Sequence, residues 1–321
     1  MKKRCSIMKA ILAALLAAAM CVPAAALGEE KTFTVGICQL VQHDALDAAT
    51  QGFKDALTEA LGDKVQFVEQ NAANDIPTCA TIVNGFVSDG VDLILANATP
   101  ALQAAVAATD SIPILGTAVT EYGVALDIKD FNGTVGGNVS GTSDLAPLDQ
   151  QAAMILELFP DAKKVGILYC SAEPNSVYQS DVVKAELEKS GVTVSVYTFA
   201  DSNDVAAVTA TACDENDVLY IPTDNTAASC TEAINNVAEP AGVPIIAGEE
   251  GICAGCGVAT LSINYYDLGV TTGKMAAKIL TGEANISEMP IEYFPDPVKK
   301  YNPAICEALG ITVPEDYVAI G

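Results

Sequence analysis

Polar side chains recur where predicted strands end, and they fall into two matching sets. Residues 91–119 read as a buried strand, a polar turn around Asn97, an alanine-rich helix and a second strand. Residues 217–248 repeat this order, with Thr223, Asp224 and Asn225 in the turn. A strand that runs into a capped helix points free backbone amides beyond the sheet, where they can bind an anion such as a carboxylate. The repeat therefore predicts a site built from two similar halves.

The turn residues also have a purely structural interpretation. Pro100 suits the first position of a helix because its missing N–H would have no partner there, and Thr99 suits the N-cap. Thr223 and Asp224 could likewise be ordinary caps or turn formers. Because similar residues stand at matching places in both repeats, a binding role and a capping role both remain open.

Ligands of open α/β sheets lie beyond the carboxyl ends of the strands. At these ends the chain collects acidic, amide and hydroxyl side chains. The predicted ligand-binding residues are Gln39, Asn97, Thr99, Pro100, Thr117, Ser171, Glu173, Asn175, Ser176, Thr223, Asp224, Asn225 and Glu249. We predict no catalytic residue, no metal ligand and no cofactor.

An amino-acid ligand would need donors for its carboxylate and an anion for its ammonium group. Arg4 is the only arginine, and it lies in a predicted leader, so the mature chain has no guanidinium clamp. Asp224 or Glu249 is predicted to hold the ammonium. The predicted donors are helix N-terminal amides together with Thr99, Ser176 or Asn225.

The elements that would position these side chains alternate between strands and helices. Strands at residues 33–38 and 65–68 alternate with helices at 45–61 and 76–87, and a glycine-, serine- and threonine-rich segment at 133–144 is predicted to be a connector. The alternation then begins again, about 130 positions further on. This pattern predicts an α/β fold with two similar doubly wound parallel-sheet lobes and a ligand cleft between them.

The predicted lobes are discontinuous in sequence. Lobe 1 comprises residues 29–143 plus about 250–288, and lobe 2 comprises residues 144–249 plus about 289–321. The segment that follows residue 248 is too short for a third domain, so it is expected to return to the first lobe and then to the second.

Residues 1–28 are predicted to be a signal peptide, because a basic start precedes an apolar segment too short to span a bilayer. The alanines at 24–26 fit cleavage to a freely secreted protein, whereas Cys21 fits a lipid-anchored one. Either alternative predicts an exported protein in the periplasm or at the cell surface. The formal net charge of −25 argues against nucleic acid or an anionic membrane as partner.

Cys253 and Cys256 form a CxxC pattern. A local disulfide, two free thiols and a redox or metal role all remain open for the pair, although no second CxxC or histidine cluster completes a zinc site. An enzyme is not predicted, because the chain has no GxGxxG after its first strand, no P-loop and no GxSxG.

Several strings occur together and in order: HDALDAATQGFKDAL, ANATPA, GTSD followed by QQ, VGILY, EPNS, PTDN and INYYDLG. With them, the chain resembles the substrate-binding proteins of ABC transporters of the tryptophan/tyrosine type, which have the type I periplasmic-binding fold. The resemblance covers nearly the whole mature chain. The sequence departs from the family pattern at GICAGCG, since that loop in similar proteins usually lacks paired cysteines.

The resemblance implies a receptor that closes its two lobes on a small ligand and delivers it to ABC permease subunits in the membrane. The expected ligand is an amino acid, and by the resemblance an aromatic one. It also implies a monomer and no enzymatic activity. Two alternatives stay open: a ligand-sensing domain that partners a membrane signalling protein, and a binding protein for a nucleoside or another small polar solute.

Overall fold

The structure is a computed structural model that describes residues 31–294 and 297–321. The predicted signal peptide and both of its processing sites lie outside the described residues. Phe33–Gly321 fold as one unit that contains two β-sheets, one of six strands and one of seven. We call each sheet with its helices a lobe.

Strands of the first lobe lie at both ends of the unit. They are β1 (Phe33–Gln39), β2 (Val65–Asn71), β3 (Leu93–Asn97), β4 (Ile114–Val119), β5 (Val139–Ser143) and β11 (Glu292–Tyr293). Its helices are α1 (Asp44–Leu61), α2 (Ile76–Asp89), α3 (Thr99–Ala108), α4 (Tyr122–Ala125) and α11 (Tyr265–Leu280).

The second lobe takes the middle of the chain and its last residues. Its strands are β6 (Lys164–Cys170), β7 (Thr193–Phe199), β8 (Val218–Ile221), β9 (Ile245–Ala247), β10 (Ala259–Ser262), β12 (Val298–Tyr301) and β13 (Val318–Ala319). Its helices are α5 (Leu148–Leu158), α6 (Pro174–Lys189), α7 (Val205–Glu215), α8 (Asn225–Ala228), α9 (Thr231–Ala241), α10 (Glu250–Cys256) and α12 (Pro303–Leu309).

Both sheets are built from parallel strands, as the alternation predicts. The first has the order β11–β5–β4–β3–β1–β2 and the second the order β13–β12–β10–β9–β8–β6–β7. In the first, Val35 of β1 pairs with Phe67 on one side and Leu93 on the other, and in the second β10 and β12 pair antiparallel. The predicted fold class, two doubly wound lobes, is confirmed.

Burial patterns explain why these segments form these elements. The strands β3 and β4 are buried along their whole length, as expected for parallel strands covered on both faces. Helix α1 buries Leu46, Phe53 and Leu57 on one face, at the three- and four-residue spacing of an amphipathic helix. It follows β1 closely, so the polar residues between them lie at the carboxyl end of the sheet.

The segment at residues 133–144, predicted to be a connector, contains the buried strand β5. Glycine, serine and threonine usually indicate a loop, but here Gly141 has a φ of 149° and lies against β4. A Cβ at Gly141 would lie 2.1 Å from the carbonyl oxygen of Gly116, so only glycine permits this close pairing. The connector prediction is wrong for residues 139–143.

The lobe boundaries of the last part of the chain also differ from the predicted ones. Strand β10 pairs with β9, so residues 259–262 lie in the second sheet and not in lobe 1. Strand β11 pairs with β5, so residues 292–293 lie in the first sheet and not in lobe 2. Strand pairing decides both placements, and strand pairing cannot be read from local periodicity.

Helix α11 carries the chain back from the second lobe to the first, where it packs along α1. Three glycines let the two backbones approach: a Cβ on Gly52 would lie 2.1 Å from the oxygen of Tyr266, and a Cβ on Gly269 would lie 2.0 Å from the oxygen of Ala49. Gly273 makes a similar approach to Phe53.

Across the described ranges, each helix is too short or too polar to cross a bilayer.

Candidate ligand-binding site

The carboxyl end of the first sheet is held in place by buried polar side chains. Thr50 of α1 donates a 2.6 Å hydrogen bond to Oε1 of Gln39, whose amide donates in turn to the oxygen of Val41. Asn97 donates to the oxygen of Leu46 and to Thr50, each at 2.9 Å. Gln39 and Asn97 therefore fix the start of α1 against β1 and β3.

The turn before α3 is strained. The sequence predicted Thr99 as the N-cap of α3, but Thr99 is the first residue of the helix. The N-cap is Ala98, with φ 93° and ψ 158°. Non-glycine residues rarely adopt this backbone conformation. The N–H of Ala98 donates to the oxygen of Thr117, which turns the chain sharply and leaves Thr99 and Pro100 buried at the start of α3.

Thr117 joins three elements of the first lobe. Its hydroxyl lies 3.2 Å from the hydroxyl of Thr142 in β5 and accepts from Thr272 in α11, also at 3.2 Å. All three side chains are buried. These contacts give Thr117 a role in holding α11 on the sheet.

In the second lobe, Glu173 organises the start of α8. Its carboxylate accepts from the backbone N–H groups of Asn225 and Thr226 and from both of their side chains, at 2.7–3.0 Å. Glu173 is only 2% exposed. Asn175 also donates to this carboxylate, at 3.3 Å. A buried carboxylate with so many hydrogen bonds is a rigid anchor for Asn225 and Thr226.

Asp224 is the N-cap of α8. One carboxylate oxygen accepts from the N–H of Ala227, and the other accepts from the N–H of Cys170 and from the hydroxyl of Ser176. Burial and the nearby charge of Glu173 raise the pKa of the Asp224 carboxyl. The structure thus gives Asp224 and Ser176 partners within their own lobe, and a ligand contact by either stays a prediction.

Three other predicted residues of this lobe have structural partners. Asn175 donates to the oxygen of Thr223 at 3.0 Å, and the hydroxyl of Thr223 donates to the oxygen of Gly248 at 3.3 Å. Ser171 is exposed and bonds to the oxygen of Phe199 in β7. Ser171 therefore lies at the outer edge of the sheet, apart from the others.

Glu249 is the N-cap of α10. Its carboxylate accepts from the N–H groups of Gly251, at 2.6 Å, and of Ile252. The side chain is 2% exposed, and burial raises the pKa of the Glu249 carboxyl to about 7. A contact with the ammonium group of a ligand stays a prediction.

Asp144 and Tyr265 are functional candidates that the residue-by-residue prediction missed. Asp144 follows β5, is 3% exposed and accepts a 2.9 Å hydrogen bond from the hydroxyl of Tyr265, at the start of α11. Its other carboxylate oxygen is buried and has no hydrogen-bond partner among the described residues. Burial raises the pKa of the Asp144 carboxyl.

A signal for Asp144 did exist in the sequence. It ends the string GTSD, directly after β5, and so stands at the carboxyl end of a strand like the other candidates. Because residues 133–144 were interpreted as a connector, that strand end was not recognised. Tyr265 bonds to Asp144 and lines the same pocket as Glu249, so the two carboxylates adjoin one region.

The two lobes touch through polar side chains at their facing ends. Nε2 of His43 lies 3.3 Å from Oδ1 of Asn225, and Nδ2 of Asn74 donates to the hydroxyl of Thr226 at 3.1 Å. His43 and Asn74 belong to the first lobe, and Asn225 and Thr226 to the second. The lobes are therefore in contact across the cleft.

A pocket of about 410 Å³ opens beside Glu249 and Tyr265. The start of α1, with Asp44 and Ala48, bounds it on one side, and α10 bounds it on the other. Its volume falls in the range of small-molecule sites. The pocket thus adjoins the region of the two buried carboxylates.

Cys253 and Cys256 are free thiols in α10. Both are buried, and burial raises the pKa of each thiol. A protonated, buried thiol is a poor nucleophile and a poor metal ligand. Of the open alternatives, the structure shows two free thiols.

A sequence model of the ABC transporter substrate binding protein family matches residues 34–320. This match spans nearly all of the chain. The chain belongs to this family. ABC substrate-binding proteins are extracytoplasmic, bind a small molecule and work with a membrane permease.

Among known proteins, a tyrosine-binding protein of Clostridioides difficile is 38% identical over 265 residues, which are 82% of this chain and 76% of that protein. A solved structure from Streptococcus pneumoniae, an ABC domain in complex with L-Trp, is 34% identical with a TM-score of 0.84 and covers 89% of this chain and 97% of that one.

A ligand-free, open structure of a substrate-binding protein with adhesive properties from Clostridium difficile is 38% identical, with a TM-score of 0.68. It covers 90% of this substrate-binding protein and 99% of that chain. The score is thus lower for the open structure than for the L-Trp complex, although its sequence is the more similar of the two.

Proposed function

We propose that this substrate-binding protein captures an aromatic α-amino acid between its two lobes and delivers it to the permease of an ABC importer. Asp144, with Glu249 nearby, receives the ammonium group of the ligand. The amides at the start of α3, beside Thr99, receive the ligand carboxylate.

The unpartnered oxygen of Asp144 carries this proposal. A buried carboxylate is costly unless it is paired or fully hydrogen-bonded. Asp144 accepts a hydrogen bond from Tyr265, and the nearby hydroxyl of Thr120 only partly offsets the effect of burial on its pKa. Neither Asp144 nor Glu249 accepts a hydrogen bond from a lysine in the described ranges. A ligand with a positive ammonium group supplies the charge that these two side chains lack.

The carboxylate of the ligand needs the opposite environment. Helix α3 is ten residues long, and its first turn is buried at the carboxyl end of the first sheet. Unbonded N–H groups and the helix dipole favour an anion there. With no arginine after Arg4, the protein relies on this helix start and not on a guanidinium group.

The hypothesis that the ligand has an aromatic side chain is based on two related proteins. One 38% identical protein is named for tyrosine and one 34% identical structure holds L-Trp. These identities lie well above the level at which only the fold is shared, so the same ligand class is the best hypothesis for this chain.

A thermal-shift screen of the chain from Glu29 onward tests the proposal, with the twenty amino acids, nucleosides and sugars as ligands. At a concentration about a hundredfold above the dissociation constant, a ligand adds about 2.7 kcal/mol to the free energy of unfolding. We expect stabilisation by tyrosine or tryptophan. Stabilisation only by nucleosides or sugars would contradict the proposed ligand, and a sample shown free of co-purified ligand is the control.

The proposal extends to the form of the exported protein. Residues 1–28 act as a signal peptide, the mature protein is a monomer, and either cleavage after residue 26 or lipidation at Cys21 places it outside the cytoplasm. Mass spectrometry of the mature N-terminus separates the two forms, since only the second carries acyl chains on cysteine.

A further inference from the structure

We infer that the closed arrangement of the lobes is stabilised by a latch of protein side chains that stands apart from the proposed ligand contacts. The interlobe latch comprises His43 and Asn74 of the first lobe and Asn225, Thr226 and Glu173 of the second. The inference rests on the proposed function in one respect, because closure is what the bound amino acid is expected to cause.

In the second lobe, Glu173 holds the two latch residues Asn225 and Thr226 in place. Glu173 accepts from the backbone N–H groups of Asn225 and Thr226, and also from their side chains. All of these bonds are within the second lobe, so they persist when the lobes separate. Glu173 is thus a positioning residue for the two side chains that reach the first lobe.

Both of these side chains meet a partner across the cleft. Thr226 accepts from Nδ2 of Asn74 at 3.1 Å while it donates to Oε1 of Glu173 at 2.8 Å. Asn225 donates its Nδ2 to Glu173 at 2.7 Å, which leaves its Oδ1 to face Nε2 of His43 at 3.3 Å. These cross-lobe bonds exist only when the lobes are closed.

The first lobe presents Asn74 in a fixed orientation. Asn74 has a φ of 63°, a left-handed conformation that asparagine tolerates better than most residues, and its N–H donates to the oxygen of Leu40 at 2.9 Å. The preceding Ala73 donates its N–H to Oδ1 of Asn71. The loop is therefore shaped to place one amide against the second lobe.

The geometry assigns a proton to His43. Since Oδ1 of Asn225 can only accept, Nε2 of His43 must carry a hydrogen. In the neutral ring Nδ1 is then unprotonated, and it is buried without a hydrogen-bond partner among the described residues. A second proton on Nδ1 would create a buried donor with no acceptor.

Protonation of His43 should therefore oppose closure. Burial lowers the pKa of the His43 imidazole, against the opposite influence of Asn225, Glu173, Asp47 and Asp44. When the lobes open, the ring gains water and its pKa moves back toward about 6.5. The stabilisation of the closed form is thus complete above that value and is lost as the pH falls through the closed-form pKa.

The first test compares Asn74→Gly with the wild type, using L-tyrosine and L-tryptophan as probes. Glycine accepts the left-handed backbone and removes only the amide. We expect the dissociation constant to rise about 3- to 10-fold, mainly through faster dissociation, as for one lost hydrogen bond. The denaturation midpoint of the ligand-free protein should fall no further than in a glycine control with the same backbone conformation, because the bond is absent in the open form.

Asp130→Gly is the matched control, since Asp130 is exposed and, with a φ of 53°, has a left-handed backbone conformation like that of Asn74. Thr226→Val should act like Asn74→Gly, and Thr226→Ser, which keeps the hydroxyl, should restore affinity. Wild-type affinity in Asn74→Gly would overturn the latch. A matching loss of ligand-free stability would overturn it too, because it would show a merely structural role.

The second test is the pH profile of affinity. Between about pH 7.5 and 5.5 the wild type should lose up to about tenfold more affinity than His43→Gln, whose side chain can still donate to Asn225 but does not titrate. Taking this difference removes the contributions of other titrating carboxyl groups. Identical profiles for the two proteins would overturn the role of His43.

If neither probe binds the wild type, the proposed ligand is wrong and the latch is tested without ligand. The distance between the lobes is then measured with one spin label in each lobe, attached through non-natural residues because the chain has native cysteines. The latch predicts a minor closed population in the ligand-free wild type, too small to change its stability, that is smaller still in Asn74→Gly. Only the open separation in both proteins would overturn it.

Discussion

Asp144 and Glu249 are two buried carboxylates, and they differ in how many of their oxygens accept hydrogen bonds. Glu249 uses both oxygens to cap α10. Asp144 uses one oxygen, with Tyr265, and leaves the other without a partner in the described structure. By ordinary hydrogen-bond accounting Glu249 is explained by the fold, whereas Asp144 is not. That difference makes Asp144 the better candidate for a ligand contact.

We predict that Asp144→Asn weakens amino-acid binding at least about 30-fold, because the ammonium loses its charged partner. The same change should raise the free energy of unfolding of the ligand-free protein at pH 7, since burial raises the pKa of Asp144 and thus penalises its charge. Calorimetry and urea unfolding measure the two effects. Asp149→Asn, the same change at an exposed position, should leave both unchanged.

A pH dependence of stability follows from Glu249. Its pKa is about 7 in the folded protein and about 4.5 when exposed, so the folded state holds the proton more tightly. The free energy of unfolding should be highest below about pH 4.5 on this account and fall by roughly 1–3 kcal/mol toward pH 7. Urea titrations should show a shallower fall in Glu249→Gln. Equal slopes would contradict the prediction.

At the scale of elements, α11 and α1 form the most intimate helix pair of the first lobe. Their backbones come close together at Gly52, Gly269 and Gly273, because glycine has no Cβ to keep them apart. Gly269 and Gly273 are four residues apart, so they lie on the same face of α11. The hydroxyl of Thr272 in the same helix bonds to Thr117 and lies 2.8 Å from Thr142. Thr117 of β4 thereby helps to pack α11 on the sheet, and a ligand contact by Thr117 stays a prediction.

We expect Gly269→Ala to destabilise the protein by about 2 kcal/mol or more, because its Cβ would lie 2.0 Å from the oxygen of Ala49 and the helices would have to separate. Gly85→Ala is the matched control. It also lies in a helix, α2, but an added Cβ meets nothing within 4 Å, so alanine should stabilise by about 0.5–1 kcal/mol. Changes of opposite sign in the free energy of unfolding of the two variants, measured in urea, would confirm this interpretation.

At the scale of the whole molecule, the lobes meet through His43 and Asn74, with the second lobe's Asn225 and Thr226 as partners. The TM-score of 0.84 against an L-Trp complex and 0.68 against an open, ligand-free relative agrees with a closed arrangement. A closed two-lobed receptor must open to release its ligand. The present structure thus describes one of the two states of the cycle.

We predict that the amino-acid-loaded protein scatters X-rays as this structure does, with a radius of gyration of about 19 Å, as for a compact chain of this size. The ligand-free protein should have a larger radius, because separated lobes spread the mass. Small-angle scattering of one sample before and after addition of ligand measures the change. An equal radius in both states would contradict closure by the ligand.

The sequence alone predicted the fold class, because strand and helix periodicities are local and alternate regularly from β1 onward. It also indicated that polar side chains collect at the carboxyl ends of the strands, since these ends share one edge of a parallel sheet, but their contact with a ligand stays a prediction. It could not show which polar side chains already have partners. Asp224 and Ser176 are both candidates by sequence, whereas in the structure they bond to each other.

Only the tertiary structure decided the rest. Strand β5 lies in a glycine-rich segment because close pairing with β4 requires glycine. The lobes of β10 and β11 depend on which other strands they pair with, and that pairing joins separate segments of the chain. The contacts of His43 and Asn74 join residues more than 150 positions apart. Local pattern fixes elements because their hydrogen bonds are local, whereas the site depends on which distant side chains remain unpaired after packing.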